Sequence, residues 1–200
     1  MSDLGLRELE RRFRASGTIE DETAWLRARV QAGELAQERA ELAAYCGQPA
    51  ARFVELKSEP QEHGSRRWYL FLSWRGQEPC VRASLAALEL VREPARSNRQ
   101  LVAAHARSLR WLLEPDARVS VQEAARNAVD MEGDKLGWVL AANADQVLTR
   151  PRRWGDPAAT VASATQADCP DLPVHERVRD ELISWALGYG DPVRGRVGLG

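Results

Sequence analysis

Apolar side chains recur along this chain at steps of three and four residues, and this period constrains the fold more than any other feature. Residues 19–32 present one such face at Ile19, Thr23, Leu26 and Val30. Similar stretches follow most of the glycine and proline breaks. Each stretch predicts an amphipathic α-helix, because a half-buried strand would alternate apolar and polar residues at every second position.

The residues before and after this stretch predict where the helix begins and ends. Thr18 is placed to accept a hydrogen bond as the N-cap, and Gly33 follows as a C-terminal stop. Between them, the adjacent carboxylates Glu20, Asp21 and Glu22 fall in the first turn, where the helix dipole favours anions. Adjacent side chains on a helix point about 100° apart, so the three carboxylates diverge. We therefore interpret them as helix-start residues and not as a metal or acid–base site.

The same reasoning predicts further helices over residues 3–15, 36–46, 79–94, 97–113, 119–132, 134–148 and 173–189, with a short segment starting at Pro49. Two stretches leave alternatives open. Residues 66–75 suit a helix or a strand, and we favour a helix because no second convincing strand exists to pair with. Residues 149–172 are either a long loop or a loop that flanks one short helix near 158–167.

These elements predict an all-α protein of about eight to ten helices. It is either an irregular helical array or a degenerate stack like HEAT or armadillo repeats, since no constant repeat period is present. The polar stretch 57–66 predicts a boundary between an N-terminal helical subdomain, residues 1–57, and a main domain, residues 66–190. The glycine-rich residues 191–200 are expected to form a flexible tail. One continuous domain is the alternative.

Several helical faces are expected to lie in the core. In the helix over 97–113 the inward face is predicted at Val102, His105, Leu109 and Leu112, which makes His105 a core histidine. Four tryptophans lie beside apolar stripes and are expected to be buried: Trp25, Trp111, Trp138 and Trp185.

Charge argues against nucleic acid and anionic membranes as partners. The chain has 28 basic and 29 acidic side chains, with the two signs interspersed, so it produces no strong long-range field. No stretch of 18 apolar residues and no leader-like amino terminus is found. Three cysteines at irregular spacing suit neither a disulfide framework nor a zinc site. We expect a cytoplasmic protein.

Motifs that carry chemistry are missing from the sequence. His175 is followed by Glu176, but the HExxH pattern of zinc proteases needs a second histidine where Arg179 stands. No nucleophile elbow, phosphate-binding glycine loop or metal-ligand spacing occurs. We therefore expect no catalytic residue, no metal site and no cofactor. The alternative is an enzyme of unrecognised type that uses carboxylates with His105 or His175 as the base.

Two Arg-Arg-Trp triplets are the most suggestive binding feature: Arg66, Arg67 and Trp68, and Arg152, Arg153 and Trp154. Guanidinium groups stack on indole rings, and arginine and tryptophan are enriched at the hot spots of protein interfaces. These six residues are our candidate partner-binding residues. The competing interpretation is that Trp68 begins a buried segment and that its arginines are merely solvated.

Three segments also resemble a known family: LERRFRASGTIEDETAWLRARVQAGEL, ELAAYCGQPAAR and ELISWALGYGDPV. They are similar to a family of poorly characterised bacterial proteins, found notably in myxobacteria. The resemblance implies a helical, cytoplasmic protein without an assigned active site, and some small helical proteins of this texture are regarded as immunity proteins. We predict a non-catalytic protein-binding module, in the form of a toxin-neutralising immunity protein or a regulatory adaptor, whose partner is another protein.

Overall fold

The computed structural model describes residues 3–54, 62–91, 98–128 and 135–190. Within these ranges the chain is helical and contains no strand, which confirms the all-α prediction. The α-helices are α1 Asp3–Ser16, α2 Ile19–Gln31, α3 Gln37–Tyr45, α4 Arg66–Trp74, α5 Gln77–Leu88, α6 Arg99–Leu113, α7 Arg118–Asn127, α8 Lys135–Thr149, α9 Gly155–Asp168 and α10 Val174–Leu187. Short 3-10 turns occupy Pro49–Ala51 and Pro115–Ala117.

Backbone contacts divide the chain into two compact units. The first unit combines residues 3–54 with residues 182–190, and the second contains the described residues from 62 to 181. The last helix, α10, therefore contributes its first turns to the second unit and the rest to the first. The predicted boundary after residue 57 lies outside the described residues. Residues 182–190 group with the N-terminal helices and not with the rest of the predicted main domain.

Helix α2 begins as the sequence predicts. The Thr18 hydroxyl accepts a hydrogen bond from the backbone N–H of Asp21 at 3.3 Å. The Asp21 carboxylate in turn binds Ser16 and Arg12, and these hydrogen bonds hold the pKa of Asp21 below its usual value. Glu22 accepts a hydrogen bond from the amide of Gln48 at 2.6 Å. Asp21 and Glu22 thus form hydrogen bonds with residues around the start of α2 and do not converge on a common site.

An aromatic cluster joins the distant parts of the first unit. The Trp25 ring stacks on Phe13 at a centroid distance of 5.3 Å and on Tyr189 at 5.9 Å. Arg29 lies over Trp25 at 4.8 Å and donates to the carbonyl of Leu187 at 2.6 Å. The Tyr189 hydroxyl donates to Glu22, and burial together with this carboxylate raises the pKa of Tyr189. Residues 182–190 are therefore fixed to α1 and α2.

The second unit is organised around α5 and α9. Every residue of α5 from Pro79 to Leu88 is buried, and α9 packs on α4, α5 and α8. In a repeat stack each unit contacts only its sequence neighbours. Contacts from α9 back to α4 and α5 indicate an irregular array.

Two ion pairs lie inside the second unit. Arg82 is 2% exposed and reaches Glu181, 1% exposed, at 3.5 Å as well as Glu78 at 3.2 Å. Arg107 binds both carboxylate oxygens of Asp145, at 2.9 and 2.6 Å. Burial raises the pKa of Asp145, and Arg107 opposes that shift. Both pairs join helices far apart in sequence.

The open helix predictions are resolved in favour of helix. Ser65 caps α4 by accepting a hydrogen bond from the Trp68 N–H at 3.2 Å, and the helix spans most of 66–75. The alternative with a helix in 149–172 is confirmed, and α9 is longer than expected. The segment after Pro49 is only a single 3-10 turn. The predicted tail over 191–200 lies outside the described residues.

The buried face of α6 differs from the predicted one by about a quarter turn. Val102 is 56% exposed and His105 is only half-buried, whereas Leu101 and Ala104 are in the core. Apolar residues occupy adjacent positions on this helix, so its pattern permits two faces. Trp138, also predicted in the core, lies on the surface. The predictions for Val102, His105 and Trp138 were wrong, whereas Leu112, Trp25 and Trp111 are buried as predicted.

Candidate protein-binding surface

Helix α4 carries the first Arg-Arg-Trp triplet and has one buried and one exposed face. Trp68 is 1% exposed, and it packs edge-on against Tyr69 at 4.9 Å. The predicted role of Trp68 in partner binding is therefore corrected, because its indole is enclosed in the core of the second unit. The competing interpretation of a buried segment holds for this tryptophan.

A different tryptophan of the same helix reaches the solvent. Trp74 is 80% exposed, which is unusual for so large an apolar side chain. Leu70, one turn earlier, is 38% exposed, and Arg66 and Arg67 precede it on the same side. Sequence reasoning missed Trp74, although a helical wheel of RRWYLFLSW places it with these residues and opposite Trp68.

The second triplet lies in the loop before α9. Arg152 and Arg153 are exposed and Trp154 is half-buried. Arg152 has φ +61°, and it is the one non-glycine residue with positive φ in the described part of the chain. A left-handed conformation costs roughly 1 kcal/mol or more at such a residue.

Contacts between α4 and the first turn of α9 place the residues that directly follow the second triplet against the helix that carries the first. The Gly155 N–H donates to the Ser73 hydroxyl at 2.6 Å. A Cβ atom on Gly155 would lie 2.2 Å from the carbonyl oxygen of Tyr69, so only glycine permits this approach. Arg66 at the start of α4 binds Asp156 at 2.7 Å. The loop with the second triplet therefore ends where the first turn of α9 meets α4.

We call the resulting patch the Arg-Trp surface, which consists of Arg66, Arg67, Leu70, Trp74, Arg152 and Arg153. Asp156 lies beside this surface, and Arg66 already binds it. Arg67, Arg152 and Arg153 are exposed and form no ion pair with a described residue. The surface is thus apolar along one helix and positively charged around it.

Two histidines lie on the buried side of α4. The Tyr69 hydroxyl and His175 Nδ1 are 3.1 Å apart, and His63 packs on Trp68 at 5.7 Å. Desolvation by burial lowers the pKa of both histidines, Arg179 lowers that of His63 further and Glu176 opposes both shifts. Within the described ranges, no three metal-ligating side chains lie together.

His105 lines a cavity of about 360 Å³ with Leu88, Glu89, Leu101 and Val102. Glu89 is the single carboxylate among the described lining residues, and Arg177 lies 3.7 Å from it. A histidine base with two converging acids, which the enzyme alternative needs, does not occur among them. Burial also raises the pKa of Cys80 to about 12, which favours its protonated thiol form.

The first unit has a cavity of about 660 Å³ along its aromatic cluster, with Arg7, Glu10, Arg14 and Glu34 around Phe13, Trp25 and Tyr189. Arg14 binds Glu10 at 2.6 Å. A smaller cavity of about 170 Å³ lies beside Trp138 and the pair of Arg107 with Asp145.

Comparison with known proteins gives no match to any family model, curated protein or solved structure. The resemblance to the myxobacterial family stays a prediction. Among the described residues, no helix is long and apolar enough to cross a membrane.

Proposed function

We propose that this protein is a non-catalytic protein-binding module and that its partner docks on the Arg-Trp surface. The observation that supports this proposal most is the contrast on α4 between the buried Trp68 and Trp74, which is 80% exposed. An exposed indole with a neighbouring leucine and a rim of arginines has the composition of an interface hot spot.

The helix that carries Leu70 and Trp74 is firmly packed on its buried side, which favours binding of a partner on its exposed side. Helix α4 is fixed by its N-cap at Ser65, by its core residues and by the close approach of Gly155. Binding of a partner over Trp74 therefore loses little conformational entropy in the backbone of α4, because this backbone is already ordered. Removal of a hot-spot tryptophan costs about 2–4 kcal/mol of binding free energy, which corresponds to a loss of affinity of about 30-fold to 1,000-fold.

The test is an affinity capture from the native host with three full-length baits: the wild type, Trp74→Ala and Val119→Ala. Val119 is 68% exposed on α7, a helix that contributes no residue to the Arg-Trp surface, and serves as the matched control. We expect a stoichiometric partner on the wild type and on the control, and its loss on Trp74→Ala. Capture of no such partner, or equal capture by all three baits, contradicts the proposal.

The two more specific roles, immunity protein and regulatory adaptor, are both forms of this proposal. They differ in what the partner does alone. If the captured partner stops growth of the host when expressed by itself, and co-expression of the wild type but not of Trp74→Ala restores growth, the immunity role is supported. A harmless partner favours the adaptor.

One observation favours the alternative that the protein is an enzyme: His105 and Glu89 line the same cavity. Its described lining is otherwise apolar, and Arg177 lies near the carboxylate. We therefore place protein binding first.

A further inference from the structure

The charges of the Arg-Trp surface also indicate the chemistry of the partner. We propose that the partner offers an acidic segment in which carboxylates flank an apolar side chain. The apolar side chain packs on Leu70 and Trp74, and the carboxylates bind Arg67, Arg152 and Arg153. This inference rests on the proposed function and specifies it.

Arginine is suited to this role because its planar guanidinium binds a carboxylate through two parallel hydrogen bonds. Of the arginines on the surface, Arg66 is already engaged by Asp156 at 2.7 Å. Arg67 lies on the helix beside Leu70, while Arg152 and Arg153 lie in the loop before α9. Their charges are not balanced by any described carboxylate within ion-pair distance.

The apolar part of the surface is small and defined. Leu70 and Trp74 lie one helical turn apart, and side chains at this spacing are about 5–6 Å from each other. Such a ridge contacts one or two apolar side chains of a partner. The Phe71 ring lies next to Trp74 at 5.8 Å and is covered by Arg75 at 5.1 Å, so the ridge does not widen on that side.

A second copy of this chain is a poor occupant. A twofold interface places the same patch on both sides, and here it would bring Arg67, Arg152 and Arg153 against their own copies. Asp156 beside the patch does little to offset that repulsion, because it already binds Arg66. The charge pattern therefore favours a different, acidic protein.

Single-stranded nucleic acid is the other polyanion that arginine and tryptophan bind. Proteins that bind it offer several stacking rings along a basic groove. This surface has a single strongly exposed indole, Trp74, and the chain has a net charge of −1. An acidic protein segment, which needs one apolar contact and a few carboxylate partners, fits better.

A displayed library of random 12-residue peptides, selected on the immobilised full-length wild type, tests the proposal. We expect the selected peptides to carry Asp or Glu on both sides of an aromatic or aliphatic residue. The best synthetic peptide should bind Arg67→Glu at least about fivefold more weakly than the wild type. Arg126→Glu, which changes an exposed arginine of α7, is the matched control and should bind as the wild type does.

The outcomes separate the two levels of the proposal. Selected peptides that need Trp74 but are neutral or basic overturn the acidic-segment inference and leave the proposed binding surface standing. Peptides whose binding is unchanged in Trp74→Ala overturn both. Tight, Trp74-dependent binding of a fluorescein-labelled oligothymidine at about 0.15 M salt overturns the choice of protein as the partner.

Discussion

The two tryptophans of α4 lie on the same short helix but differ in burial and in the side of the helix on which they lie. Trp68 is 1% exposed and lies between His63 and Tyr69, while Trp74 is 80% exposed. Trp74 lies six positions after Trp68, and six positions are not a whole number of helical turns. The two side chains therefore point to different sides of the helix. The comparison shows that a tryptophan next to arginines in the sequence does not by itself indicate a binding site. The side of the helix on which the tryptophan lies must also be known.

The largest effect expected from this comparison is on folding. Trp68→Ala should lower the free energy of unfolding by about 3–5 kcal/mol, because it removes a fully buried indole and leaves a cavity. Trp74→Ala should change the same quantity by less than about 0.5 kcal/mol, because its indole is mostly in water. Urea unfolding followed by circular dichroism measures both. Similar losses in the two variants would contradict the assignment of the two faces.

A second test targets the contact that seats α4 on α9. Gly155→Ala places a Cβ atom against the Tyr69 carbonyl, so the helices must separate, and we expect a loss of about 1–3 kcal/mol of stability. Ser163→Ala on the exposed face of α9 is the control and should be close to neutral. A Gly155→Ala variant as stable as the control would show that the backbones do not touch there.

The smallest effect is a pH dependence confined to the buried face. His63 and His175 have lowered pKa values in the folded state, so the unfolded chain binds protons more readily. Their contribution to stability is present above about pH 6.5, the unfolded pKa of histidine, and is lost as the pH falls towards the folded pKa. Urea unfolding at pH 7.5 and at pH 5.5 should show this loss.

The double variant His63→Gln with His175→Gln should lose less stability between the two pH values than the wild type does. Affinity for a partner at the Arg-Trp surface should follow pH much less than stability does, because arginine keeps its charge over this range. An equal decrease in the wild type and the double variant would assign the pH dependence to other groups.

The sequence predicted the helices well because their signals are local. The cap at Thr18 and the breaks at glycine each involve a few neighbouring residues, and the structure places helix ends there. The helix over 66–75 was also predicted, from the lack of a partner strand. That last prediction depended on the rest of the chain and not on local signals.

The buried faces of the helices and the contacts between distant residues were harder to predict from the sequence. Helix α9 is rich in small residues, so its sequence shows little contrast between sides, yet its burial comes from α4, α5 and α8. On α6 adjacent apolar residues left two faces equally plausible. The grouping of Tyr189 with Glu22 has no local signal at all. Of the candidate surface, the arginines were predicted and Trp74, whose exposure depends on tertiary packing, was not.

The aromatic cluster of the first unit has a consequence for biosynthesis. Glu22 and Tyr189 are 167 residues apart, and a ribosome that adds about 5–20 residues per second needs about 10–30 s to make that stretch. Until Tyr189 is made, Phe13 and Trp25 lack one of their stacking partners. The nascent α1 and α2 therefore leave aromatic surface uncovered until residues 182–190 follow.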